Sequence, residues 1–176
     1  MRRTAFESAV AEHGGKVFTL AVYLLNDREE AEDVAQEVLV RFWQRGPEVD
    51  PDRIGAWLMR VTRNRCIDAL RTRKSARNAS VTRDGDRVLE MAVDARPGPE
   101  RRARASELGS IINQALAGLS EPYRSVVVLR EIQGRAYDEI ADILTMPLNT
   151  VRVTLHRGRR MLRAALREEY DHAAAV

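Results

Sequence analysis

Cysteine is almost missing from this chain: Cys66 is the only one in 176 residues. That excludes a disulfide framework and a thiolate metal cluster. Histidine is scarce too, and His13, His156 and His172 have no metal-ligand spacing. No apolar run approaches the length of a membrane-spanning helix, and the N-terminus lacks the apolar core of a signal peptide. Strand signals are nearly absent, because the valine-rich runs fall at helical spacing. There is no Gly-rich phosphate loop, nucleophile elbow or coherent acid–base pair. These absences predict an all-α, reduced, cytoplasmic protein with no catalytic residue, no metal, no cofactor and no membrane insertion. With 44% apolar and 31% charged residues the chain can bury a core. Net charge is only +3 although the pI is about 9.4, so a nucleic-acid surface requires local segregation of charge.

One absence is local. Between Asn149 and Arg167 there is no Asp or Glu, while arginine recurs. The segment from Tyr137 to Leu166 reads as two helices joined by a very short turn. Ile140, Ala141 and Leu144 share one side of the first helix, with Asp138 and Glu139 in its opening turn. Thr145-Met146-Pro147-Leu148 breaks the pattern, since proline cannot donate its backbone bond and disfavours helix in the residue before it. Asn149 is a suitable N-cap for the second helix. There Val151, Leu155, Gly158, Leu162 and Ala165 form the inward stripe, leaving Arg152, Val153, His156, Arg157, Arg159, Arg160 and Arg163 outward. Solvated helices also carry arginine, but they normally mix signs. A short-turn pair whose second helix is apolar within and arginine-rich without suits a helix-turn-helix that reads DNA.

Upstream, Phe6, Val10, His13, Val17, Ala21 and Leu24 mark an amphipathic helix, with a kink or break expected at Gly14-Gly15. Asp27, with Glu30 three residues on, opens a second helix in a capping-box arrangement. Its apolar stripe includes Val34, Val38 and Phe42, and its opposite face carries Glu29, Asp33, Gln36, Glu37 and Val40. The residues leave two readings of that acidic face: a solvated surface, or a dock for a basic partner helix. A third helix, from Ile54 to about Arg73, sets Leu58, Thr62 and Cys66 inward and Arg60, Arg63, Asn64, Arg71 and Lys74 outward, with Trp57 near its start. Arginines for phosphates, an aromatic for stacking and an amide for a base edge suit melted nucleic acid; a core Trp57 and a solvated Asn64 are the plainer alternative. Residues 77–104 are rich in Arg, Asp, Ser, Gly and Pro and read as a flexible linker between helical domains at 1–76 and 105–170. Within the second of these, Ser120 is expected to cap a helix from Glu121 to Gln133 that closes at Gly134. Residues 171–176 read as a frayed tail.

In three segments, 27–43 (DREEAEDVAQEVLVRFW), 56–74 (AWLMRVTRNRCIDALRTRK) and 119–162, the chain resembles a sigma-70 family RNA polymerase sigma factor of the extracytoplasmic function (ECF) group. The resemblance implies a dissociable subunit of bacterial RNA polymerase that directs promoter recognition and promotes −10 melting. It implies that Asp33, Gln36 and Glu37 dock on the β′ clamp helices of the polymerase core, with β as a further contact. It implies that Trp57, Arg60, Arg63, Asn64 and Arg71 serve the −10 element, Asn64 at the position that can contact a captured base. Asn149, Thr150, Arg152, Val153, His156, Arg157 and Arg160 then fall on the −35 element, where arginine can fork onto guanine. Core polymerase, promoter DNA and an anti-sigma factor are the implied partners. Departures from the family pattern are Ala136 in place of a capping Ser or Thr, Asn149 for glycine, and Val153-Thr154 where Ser and Arg are common. The rival is an autonomous helix-turn-helix regulator binding duplex operators as a dimer, which has no use for the acidic face and the basic, Trp-led third helix.

Overall fold

Seven α-helices and short connecting turns account for the described residues, 3–79 and 99–174, of the computed structural model, and no strand occurs among them. The first three are α1 (Arg3–Leu25), α2 (Arg28–Arg45) and α3 (Ile54–Ala79). The others are α4 (Pro99–Ala117), α5 (Tyr123–Val127), α6 (Tyr137–Leu144) and α7 (Leu148–Ala174).

The apolar stripes read from the sequence are what these helices bury. In the N-terminal trio Leu20, Leu24, Phe42, Leu58 and Met59 are fully enclosed, and Phe42 packs against Phe6 and Trp57 with ring centroids 6.0 and 5.8 Å away. Each such side chain contributes about 1.5–3 kcal/mol when removed from water. Asp27 caps α2 by accepting from the backbone N–H of Glu30 at 3.0 Å. Glu30 itself turns to Arg73 of α3 instead of completing the box. Cys66 is buried, and burial pushes its thiol up to about 12, so it is an inert core residue.

The C-terminal helices close around Leu116, Leu119, Leu129, Ile140, Ile143 and Leu155. α7 lies on α4, α5 and α6. The two helical sets are packed against each other: α3 meets α6, α1 meets α4, and one buried cluster runs through both. Arg124 Nη1 donates to the Leu24 carbonyl at 2.8 Å, Gln133 Nε2 to the Lys16 carbonyl at 2.7 Å, and Asn113 Nδ2 to Asn26 Oδ1.

Several local expectations are corrected. α1 runs unbroken through Gly14-Gly15, because the packing of Val17–Leu25 outweighs roughly 1 kcal/mol of helix propensity at each glycine. The outer ends of the expected linker, 77–79 and 99–104, are helical; Pro99 opens α4, where a missing N–H costs nothing. Residues 80–98 lie outside the described residues, as do 175–176 of the expected tail, whereas α7 extends to Ala174. Pro122, not Ser120, precedes α5, whose helix widens into a π-helical turn at Val128–Ile132, closed by Gln133 N–H to the Val128 carbonyl at 3.1 Å. Asn149 is inside α7, not its cap, because the helix begins one residue earlier at Leu148.

Candidate nucleic-acid interface

α6 and α7 form the expected helix-turn-helix. Ala136 offers no side-chain oxygen to α6, so Glu139 supplies the reverse contact, accepting from the Ala136 N–H at 2.8 Å. That bond, helped by Arg135 at 2.8 Å, holds the Glu139 carboxyl below its ordinary range. α6 ends on Thr145 in the left-handed region (φ 54°), and Met146 N–H returns to the Ala141 carbonyl at 2.9 Å. Pro147 follows, and α7 starts.

Helical spacing then decides which α7 side chains face inward. Val151, Thr154, Leu155 and Gly158 are buried, while Asn149, Thr150, Arg152, Val153, His156, Arg157 and Arg160 are all exposed. Val153 is 51% exposed, a large apolar group in the middle of a basic row. Arg152 Nη1 donates to Asn149 Oδ1 at 3.3 Å. Among the described residues no carboxylate pairs with Arg157 or Arg160, whereas Arg159, one position round, is held by Glu131 at 2.8 Å. The outward row is therefore available for an anion.

α3 is different. Asn64 and Arg71 are exposed, Arg71 lying 3.8 Å from Asp68. Trp57 is half-buried on Phe42, so its ring belongs in part to the core. Arg60 and Arg63 are turned toward the C-terminal helices. Arg60 Nη2 donates to the backbone oxygen of Asp142 at 2.5 Å and lies 3.2 Å from its carboxylate, which also receives Arg53 at 2.9 Å. Arg63 reaches Glu121 and Ser125, each at 3.2 Å. A cleft of about 400 Å³ opens here, lined by Trp57, by Arg41, Arg45, Arg53 and Arg60, and by the carboxylates of Glu48, Asp50 and Asp142. Arg41, Arg45 and Arg53 escaped the sequence reading. Arg53 sits in a short turn at Pro51–Arg53, and no helical periodicity ties the three to α3.

On α2, Asp33, Gln36 and Glu37 are exposed together on the face opposite the core. Glu37 is engaged by Arg65 of α3, whose Nε and Nη2 stand 3.1 and 2.5 Å from Oε2. Among the described residues no group of His, Cys, Asp and Glu could hold a metal ion, and no helix is long and apolar enough to cross a membrane.

Two family models match the chain: sigma-70 region 2 over residues 9–76 and sigma-70 region 4 over residues 110–162. The chain is 35% identical over 170 residues to the ECF RNA polymerase sigma factor SigE of Mycolicibacterium smegmatis, covering 97% of this chain and 65% of that relative. It is 33% identical over 168 residues to the ECF RNA polymerase sigma factor SigW of Bacillus subtilis, covering 93% and 90%. Among solved structures it is similar to CnrH in complex with the cytosolic domain of CnrY (TM-score 0.67, 27% identity, 95% of this chain and 90% of that one). The fold also matches the sigma factor RpoE in complex with the anti-sigma factor NepR from Bartonella quintana, at TM-score 0.75 and 20% identity over 92% and 96% of the two chains.

Proposed function

The chain belongs to the sigma-70 family, in its ECF group, and we propose that it acts as a dissociable specificity subunit of bacterial RNA polymerase. α7 enters the major groove of a −35 element, with Arg152, Val153, His156 and Arg157 as its readers and Asn149, Thr150 and Arg160 along the flanking backbone. Arginine forks onto guanine, and Val153 meets a thymine methyl. α3 serves the −10 element, where Asn64 contacts a base drawn from the stack and Arg60, Arg63 and Arg71 hold phosphates. The cleft beside Trp57 receives the unstacked base. Extrusion costs a few kcal/mol, offset by the pocket and the phosphate contacts, so melting is driven by binding and this chain performs no catalytic step. Asp33, Gln36 and Glu37 dock on the basic clamp helices of the β′ subunit.

The observation that carries this reading is the division of charge. An exposed one-signed row on α7 and an acidic face on α2 lie on one chain. Two weak modules acting together raise each other's effective concentration. A dimeric operator-binding regulator has no role for the α2 face. CnrH is seen in complex with the cytosolic domain of CnrY, and RpoE with the anti-sigma factor NepR; an anti-sigma factor is the further partner this reading assigns to the chain. Its place of action is the cytoplasm, where the polymerase works.

The test is transcription in vitro by purified core polymerase, with and without the chain, on a library of promoter fragments. Initiation from a distinct subset only when the chain is present is the expected result. No association with core, together with tight sequence-selective binding to closed duplex by the chain alone, overturns the proposal in favour of the autonomous regulator.

A further inference from the structure

Ion pairs occupy most arginines of the N-terminal trio. Arg53 and Arg60 share Asp142, Arg65 is taken by Glu37, and Arg73 by Asp27 and Glu30. Arg41 and Arg45 of α2 differ. Both are exposed, and among the described residues no carboxylate lies within ion-pair distance of either. The ready partner for Arg41 is Glu37, one turn earlier on the same helix, but that carboxylate is turned to Arg65 at 2.5 Å. Arg45 stands one turn after Arg41, so two cations are neighbours along one side of α2, an arrangement that destabilises a helix unless an anion joins them. Nearby acids do not serve. Glu48 and Asp50 line the same cleft without pairing with either arginine, and the Asp50 carboxylate accepts from the Asp52 N–H at 3.1 Å.

Both side chains line the cleft to which α3 contributes Trp57 and Arg60. Four residues of helix separate them by about 6 Å along α2, so they form a two-step cationic edge on the α2 side of that cleft. A repeated cation calls for a repeated anion. Successive phosphates of a single strand, with a base turned to an aromatic face, match two guanidinium forks beside a tryptophan. The carboxylates of Glu48, Asp50 and Asp142 repel a polyanion, so the favourable approach lies over Arg41 and Arg45 and not over the turn that carries Glu48 and Asp50. We infer that Arg41 and Arg45 are a further strand-binding pair, and that the melted strand crosses the C-terminal end of α2 as it enters the cleft. This assignment rests on the reading of α3 and its cleft given above, and it adds a second helix to the grip. It also sets the proposed docking face and the grip on one rigid element, since Arg41 and Arg45 follow Glu37 by one and two turns. Where α2 is fixed to the polymerase, the entry point of the strand is fixed with it.

The experiment measures binding of a short fluorescein-labelled single strand of random sequence to the full chain by anisotropy, over a series of salt concentrations. Arg41→Gln/Arg45→Gln is compared with the parent and with Arg3→Gln/Arg28→Gln, which removes the same charge from two exposed pairs away from the cleft. A third variant, Asn64→Ala/Arg71→Gln, reads α3. The cleft pair is expected to bind about tenfold more weakly at low salt and to lose about 1.4 from the slope of log K against log salt, two contacts at roughly 0.7 each. The Arg3/Arg28 variant is expected to follow the parent. An unchanged slope in the cleft variant, or an equal loss in the Arg3/Arg28 variant, overturns the assignment. So does a parent that binds no strand at low salt, because arginines without carboxylate partners need nothing released first. Loss in the α3 variant with none in the cleft variant overturns the α2 path and leaves the role of α3 standing; loss in neither removes both. Arg45 also lies in the last turn of α2, where a cation complements the helix dipole. A lower melting temperature of Arg41→Gln/Arg45→Gln with parental strand affinity would assign it to that end of the helix alone, and overturn the pair.

Discussion

A β-carbon built on Gly158 of α7 would stand 2.7 Å from Cγ2 of Val127 on α5. Val127 is completely buried and stiff at χ1, so it cannot swing aside, and the Tyr123 carbonyl lies 3.4 Å away on the same side. Alanine gains about 1 kcal/mol of helix propensity over glycine, but overpacking a close-packed contact costs about 1–3 kcal/mol. Gly158→Ala is therefore expected to destabilise the chain by roughly 1 kcal/mol net and to weaken duplex binding, because α7 is pushed off its support. Urea unfolding reads the first effect and promoter binding the second. A variant more stable than the parent would mean the contact is slack.

His13 carries a pH dependence. Its ring lies beside Gly55, where an added β-carbon would come within 3.1 Å of Cε1, and its Nδ1 is buried without a partner. Burial lowers its pKa below 6.5; Glu12 opposes the shift, and Lys16 and Arg135 add to it. The folded chain thus binds fewer protons here than the unfolded chain. Stability from this group is complete above the unfolded value of 6.5 and is lost as pH falls from there through the folded value. Urea midpoints at about pH 7.5 and about pH 5.5 should differ in the parent by more than in His13→Gln. Equal differences would assign the acid sensitivity to other groups.

Much of the α6–α7 architecture was legible in the sequence because it rests on local physics. Helical spacing at Val151, Leu155 and Gly158, a proline stop at Pro147 and an acid-free stretch are all readable within one window. The seven α7 residues expected to meet the −35 element come out exposed for that reason. What the sequence concealed is long-range. Arg60 and Arg63 look outward on a helical wheel, yet their partners Asp142 and Glu121 lie 82 and 58 residues away. No periodicity reports such a pairing. Glu37 is similar, since its engagement by Arg65 depends on how α2 and α3 lie side by side. Continuity of α1 across Gly14-Gly15 was missed because tertiary burial overrode propensity.

On α7, the proposed reader of the −35 element, Arg152→Ala and Arg157→Ala should each cost about 1–3 kcal/mol in discrimination among promoters. The two are expected to differ in salt response. Arg152 is steadied by Asn149 at 3.3 Å, whereas Arg157 has no carboxylate partner among the described residues and is free to serve phosphate or base. Loss of a phosphate contact weakens all sequences alike and reduces the salt slope by about one, while loss of a base contact relaxes one position. Binding selections over a randomised −35 region at two salt concentrations separate these outcomes. Parental preference in both variants would remove α7 as the reader.

The acidic face of α2 calls for a test that separates docking from internal pairing. Asp33→Arg should weaken association with core polymerase about tenfold, chiefly through slower and more salt-sensitive encounter. Glu37→Arg is ambiguous by itself, because it sets a new cation against Arg65, which now holds Glu37 at 2.5 Å. The exchange Glu37→Arg/Arg65→Glu restores that internal pair with its direction reversed. If Glu37 meets the polymerase, the exchange recovers thermal stability but leaves core affinity low. If the exchange recovers both, the carboxylate of Glu37 matters only for holding α3 against α2, and the docking role contracts to Asp33 and Gln36.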